Sequence, residues 1–142
     1  YNDGSEVVHH IDFSYPYDEP MRQLLAQALQ ACGHEYSLKA TYGATQGPRL
    51  ETAAEILKME RDGCDIVGMT AMPEASLARE LEMPYANLAL VVNWAAGKTG
   101  AVPENDEVEQ GLVSIEEIRQ MIDDGNVMLQ TIIPQLAGLF RV

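Results

Sequence analysis

Cysteine is scarce in this chain. Cys32 and Cys64 are the only two in 142 residues, too few for a disulfide framework, and neither belongs to a CxxC pair or has a spaced histidine partner. Both are expected to be reduced, packed thiols of a cytoplasmic protein. His9, His10 and His34 show no ligand spacing either, which leaves a metal or redox centre without support. Basic residues are also few: nine Lys and Arg stand against 22 Asp and Glu, for a formal net charge of −13. The nine are scattered, so a nucleic-acid phosphate backbone would be repelled, and the acidity reads as a solubility property. No apolar run approaches the ~20 residues that span a bilayer, and no basic-then-apolar signal segment opens the chain. Internal repeats and low-complexity segments are absent.

What remains is the composition of one globular domain, 46% hydrophobic and 22% charged. Residues 1–18 read as loop with one short strand around Val7–Ile11. Asp18 is a good N-cap and Pro20 fits a first turn. Met21, Leu24, Leu25, Ala28, Leu29 and Cys32 then recur on one helical face that Gly33 ends. Tyr36, Leu38, Ala40 and Tyr42 alternate as a strand with one buried face. The almost wholly apolar run from Tyr85 to Val92 predicts a strand covered on both faces, ending at Asn93. Residues 97–109 have the Gly, Pro and acid content of a lid-length loop. Ser114 with Glu117 forms a capping box for a helix with Ile115, Ile118, Met121 and Ile122 inward. A kink or break is expected at Asp123–Asn126, with resumption to about Ile133 and a docked tail from Pro134. Strands alternating with helices make the class α/β.

Residues 45–74 hold the densest signals. Thr52 and Glu55 form a capping box, and Ala53, Ile56, Leu57 and Met59 follow near helical spacing up to Gly63. Asp65–Met69 reads as a short buried strand, and Pro73 starts another helix running to about Leu81. Thr70 and Ala71 therefore lie where a strand's carboxyl end meets a helix, the crevice in which open α/β sheets bind ligands.

The runs Gly47-Pro48-Arg49-Leu50-Glu51-Thr52-x-x-Glu55 and Asp65-Ile66-Val67-Gly68-Met69-Thr70-x-x-Pro73-Glu74, followed by an apolar strand ending in Asn93, resemble the trimeric purine nucleoside and methylthioadenosine phosphorylase family. The resemblance implies a three-layer α/β fold with a mixed central sheet flanked by helices, and a homotrimer. It extends over nearly the whole chain but covers only the later part of that fold. The family's earlier glycine-rich phosphate loop and arginine-histidine pair have no counterpart, so residues 1–142 are expected to be the C-terminal part of a single domain.

The family splits purine nucleosides with inorganic phosphate, a co-substrate, and needs no cofactor. On the resemblance, Glu51 and Asn93 hold the base. Glu51 accepts from a ring N–H, and Asn93 donates to N7 or O6, taking charge from a leaving purine. Methylthioadenosine enzymes carry aspartates at Asn93 and at the position matching Ala95, so the amide here implies a 6-oxopurine. Met69 matches the residue lying against the ribose, and Thr70 a hydroxyl donor to phosphate. Thr70 has independent support from nearby N–H groups facing an anion. Leu50 stands where an aromatic is usual against the base. Ile115 and Ile118 lie about where methylthio enzymes present aliphatic residues and inosine-cleaving relatives a histidine. His10 approximately matches a residue that trimers contribute to a neighbour's sugar site.

The expected activity is phosphorolysis of 5′-methylthioinosine to hypoxanthine and 5-methylthioribose 1-phosphate. General inosine or guanosine phosphorolysis and methylthioadenosine phosphorolysis are the alternatives. A reading of another class is an inactive fragment or nucleoside-binding remnant, because lost phosphate contacts cripple nucleophile positioning. Expected partners are a purine nucleoside and phosphate, not nucleic acid or membrane.

Overall fold

The computed structural model describes residue 4 and residues 10–98 and 115–140. The expected strand residues Val7–His9, most of the 97–109 loop, and the Ser114 and Glu117 side chains of the second capping box lie outside what is described. Six elements follow in order: helix α1 (Glu19–Ala31), strand β1 (Tyr42–Ala44), helix α2 (Ala53–Arg61), strand β2 (Ile66–Gly68), helix α3 (Glu74–Glu80) and helix α4 (Ile115–Leu139). The α/β class follows directly, with both ladder strands parallel.

Local chemistry sets the helix ends. Asp18 Oδ1 accepts from the Met21 N–H at 2.8 Å, satisfying one donor left over at the start of α1. Past the end of α1, Gly33 takes φ +73°, a left-handed conformation that costs glycine little. Thr52 caps α2 with both arms of its capping box formed. Pro73 sits at the N-cap of α3 rather than inside its first turn.

The core is a contact between helices. Ala28 and Leu29 of α1 pack against Ile132 of α4, which is 1% exposed, with Cys32, Leu88, Met128, Leu136 and Leu139 closing around them. This corrects the expected inward face of α4. Ile115, Met121 and Ile122 are 56%, 41% and 44% exposed, whereas the positions facing α1 run through Met128, Ile132, Leu136 and Leu139. The helix does not break at Asp123–Asn126 either. Gly125 is buried within it, and a Cβ there would lie 2.0 Å from Leu90 Cδ2. Glycine at this position admits Leu90 to the helix surface instead of ending the helix. Pro134 lies inside the helix and costs it one backbone bond.

Two expected strands are also corrected. Residues 36–41 lie outside the ladder, with Tyr36 and Leu38 44% and 42% exposed, and pairing starts only at Tyr42. The 85–92 run is irregular, and Val91 is 61% exposed. A strand exists through bonds to a neighbour. Here the Tyr85 carbonyl accepts from Asp18 N at 2.8 Å, Leu88 packs on the helix core and Leu90 covers Gly125. Within the run, Leu88 and Leu90 thus meet helices while Ala89 and Val91 are exposed.

Because Ile132 is fully enclosed while Ile133 is 60% exposed, Ile132→Ala is expected to lower stability by about 2–5 kcal/mol. Ile133→Ala should stay within about 0.5 kcal/mol. Denaturant midpoints of the two variants check the assignment of the buried face.

Candidate active site

β1 and β2 pair in parallel with Tyr42 opposite Ile66, Gly43 opposite Val67 and Ala44 opposite Gly68. Thr45 N continues the ladder one step, donating to the Gly68 carbonyl at 2.9 Å. Parallel strands end on the same side, so the segments leaving them, 45–52 and 69–73, emerge side by side. The expected Glu51, Met69 and Thr70 lie on these two segments.

Glu51 is half-buried and held from behind. The Thr45 hydroxyl donates to Glu51 Oε1 at 2.6 Å and lies 3.3 Å from the Gly68 carbonyl. The segment carrying Glu51 is clasped to the start of α2, where the Arg49 guanidinium donates to both Glu55 oxygens at 2.7 and 2.9 Å. The same Glu55 carboxylate accepts from Thr52 N at 2.8 Å and Thr52 Oγ1 at 3.0 Å. These donors stabilise the ionised form. The Arg49 bond first, and then the Thr52 backbone and hydroxyl, hold the Glu55 carboxyl below its ordinary 4.5, at about 2.

Met69 lies over Gly47, where a Cβ would fall 2.6 Å from Met69 Sδ. The bare glycine is what lets this side chain cross between the two segments. Thr70 is joined to β1: its N–H donates to Tyr42 Oη at 3.2 Å, and its hydroxyl lies 2.9 Å from the same oxygen. Ala71 follows with φ +71° while 3% exposed, a left-handed conformation uncommon for a residue with a Cβ.

The remaining expected residues are placed less closely. Leu50 is 45% exposed beside Glu51. Asn93 is exposed, and its Nδ2 donates to the Trp94 carbonyl at 2.7 Å, which leaves the second amide hydrogen and the amide oxygen for a ligand. The segment after Asn93 returns to α2: a Cβ on Gly97 would lie 2.5 Å from Ala53 Cβ, and Lys98 Nζ pairs with Glu60 at 2.7 Å. These contacts fix Gly97 and Lys98, rather than Asn93 itself, against the helix that Glu51 precedes. His10 is exposed, Ile115 is exposed and Ile118 is half-buried. Among the described residues no hydrogen bond joins any of these three to Glu51, Met69 or Thr70. A cavity of about 380 Å³ lies elsewhere, lined by Asp12, Asp18, Arg79, Glu82 and Tyr85 among others, and shares no lining residue with the site.

Tyr42, Thr45 and Gly47 are the site residues that sequence reasoning gave no role. Tyr42 reads there as one position of an alternating strand, and its partner lies 28 residues away. Thr45 and Gly47 fall inside the motif-bearing stretch, so a hydroxyl six residues before a carboxylate was the available signal. Chemically the arrangement offers a carboxylate acceptor, a thioether wall and a hydroxyl side by side. No three His, Cys, Asp or Glu among the described residues are grouped to hold a metal ion, and no described helix is long and apolar enough to cross a membrane.

Comparison with known proteins places the chain in a family. The family described as the phosphorylase superfamily matches residues 1–123. A probable S-methyl-5′-thioinosine phosphorylase of Pseudomonas syringae is 64% identical over 110 residues, which is 78% of this chain and 45% of that protein. The 6-oxopurine nucleoside phosphorylase of Pyrococcus furiosus is 47% identical over 112 residues, covering 75% of this chain and 42% of that protein. Among solved structures, a single-residue variant of adenosine/methylthioadenosine phosphorylase from Schistosoma mansoni in complex with adenine superposes with a TM-score of 0.81 at 25% identity. That match covers 93% of this chain and 49% of the other. The chain spans about half the length of the curated relatives it matches.

The Glu55 clasp predicts a pH dependence. Its folded pKa is depressed from 4.5 to about 2, so the stability it contributes is present above 4.5 and lost as pH falls toward about 2. Wild type should exceed Glu55→Gln in unfolding midpoint at pH 7. Midpoints measured down to pH 2 should converge across that window.

Proposed function

Because this chain belongs to the phosphorylase superfamily, we propose that it carries the base and ribose side of a purine nucleoside phosphorylase site. The whole protein splits the N-glycosidic bond of a 6-oxopurine nucleoside with inorganic phosphate. The observation that carries the proposal is the convergence of Glu51, Met69 and Thr70 at the ends of two parallel strands, with the Glu51 carboxylate fixed by Thr45. In the reaction a phosphate oxygen bonds to the anomeric carbon as the bond to the purine nitrogen breaks, and the bonding pair passes into the base. Glu51 accepts from the purine N–H. Asn93 donates to N7 or O6, where the developing charge is best met by a fixed donor. Met69 lies against the ribose and Thr70 donates to phosphate.

The preferred nucleoside is 5′-methylthioinosine, giving hypoxanthine and 5-methylthioribose 1-phosphate. Support comes from the name of the Pseudomonas syringae relative and from Asn93 and Ala95, neither of which supplies the acid an aminopurine requires. A broader 6-oxopurine preference is the second reading. It is favoured by the 56% exposure of Ile115, which leaves an apolar wall for the methylthio group open, and by the name of the Pyrococcus furiosus relative. Since the chain spans about half its relatives' length, a third reading is a fragment that binds nucleoside without turnover. The protein is expected to act in the cytoplasm as a homotrimer in which His10 reaches a neighbour's sugar site.

Inosine, methylthioinosine and methylthioadenosine assayed side by side separate these readings. The assay should use both the 142-residue chain and a longer form that adds the relatives' N-terminal half. In the active form methylthioinosine should exceed methylthioadenosine in kcat/KM by roughly tenfold or more, and Asn93→Asp should shift preference toward adenine nucleosides. Equal rates on the two methylthio substrates would contradict the base assignment. Phosphate-dependent hypoxanthine release by the 142-residue chain alone would rule out the non-catalytic fragment.

A further inference from the structure

We propose that Tyr42 is a positioning residue that turns the Thr70 hydroxyl outward as a proton donor to the phosphate co-substrate. The inference rests on the reading of Thr70 given above and extends it to a residue on the neighbouring strand. Tyr42 Oη lies within hydrogen-bond distance of two Thr70 groups, the backbone N–H at 3.2 Å and the hydroxyl at 2.9 Å. The backbone N–H can only donate, so the phenol oxygen accepts it. The phenol has a single proton, and Thr70 Oγ1 is the acceptor within reach. With that proton given to Thr70 Oγ1, the threonine's own O–H is free to point away from β1. The unprotonated oxygens of a bound phosphate accept hydrogen bonds, so a phosphate presenting one of them to Thr70 favours this assignment over the reverse one, in which the Thr70 proton is turned inward.

The fold makes room for this pair. A Cβ on Gly68 would lie 2.1 Å from Tyr42 Oη and 2.9 Å from its ring carbon, so the phenol can cross to Thr70 only because residue 68 has no side chain. Ala71, next in the chain, is buried with φ +71°, which fixes the direction in which the backbone leaves Thr70. Tyr42 itself touches no substrate in this scheme. It acts through Thr70.

The test is an NMR titration, with inorganic phosphate in the presence of saturating hypoxanthine, of the longer form that adds the relatives' N-terminal half, following the Thr70 amide. In the wild type that resonance should move saturably with phosphate. Tyr42→Phe, which keeps the ring and loses the hydroxyl, should weaken phosphate binding by roughly threefold to tenfold and leave hypoxanthine affinity unchanged. Thr70→Val should weaken phosphate at least as much, and Tyr42→Phe/Thr70→Val should be no weaker than Thr70→Val alone, because the two hydroxyls act as one unit. The inference is overturned if Tyr42→Phe binds phosphate like the wild type or if the two losses simply add. It is also overturned if hypoxanthine affinity falls in parallel, which marks a structural role. Those outcomes leave the phosphate role of Thr70 standing. A wild-type Thr70 amide indifferent to phosphate removes that role and the inference together.

Discussion

The parallel pairing of β1 with β2 is the constraint on which the site depends. Each strand is only three residues long, yet their common direction brings the outgoing segments to one edge, and side chains far apart in sequence become neighbours there. Thr45 reaches Glu51 from the end of β1, and Tyr42 at its start reaches Thr70 beyond β2. A register slip of one residue would reverse the face of every side chain on the shifted strand and part Tyr42 from Thr70. The continuation of the ladder through the Thr45 N–H ties the register to the same residue that holds the carboxylate.

Stability and site are built from different materials. The largest fully buried side chain among the described residues, Ile132, packs with Ala28 and Leu29 where α1 meets α4, while the site hangs on short polar bonds and on missing side chains at Gly47 and Gly68. Exposed polar pairs such as Arg49 with Glu55 contribute little to stability individually. Their value here is geometric, since they fix the backbone from which Glu51 projects. Separating the two roles allows binding residues to remain exposed without loosening the helix pair.

Local signals were legible in the sequence and long-range ones were not. The caps at Asp18 and Thr52, the left-handed Gly33 and Gly63 and the short strand at Ile66–Gly68 all follow from neighbours within a few residues. The 85–92 run and the inward face of α4 did not, because apolar character says that a surface is covered without saying by what. Leu90 meets Gly125 and Leu88 meets the helix core, pairings that no periodicity encodes. Glu51, Met69 and Thr70 were legible through their motifs, whereas Tyr42 required the strand register to be known.

A crystal structure of this chain grown with hypoxanthine and phosphate would show whether the strand ends hold both ligands. The purine is expected against Glu51 with the Thr45 contact intact, and phosphate within hydrogen-bond distance of the Thr70 hydroxyl while Tyr42 stays on its other side. Purine seated instead in the cavity lined by Asp12, Arg79 and Tyr85, with Glu51 and Thr70 untouched, would contradict it.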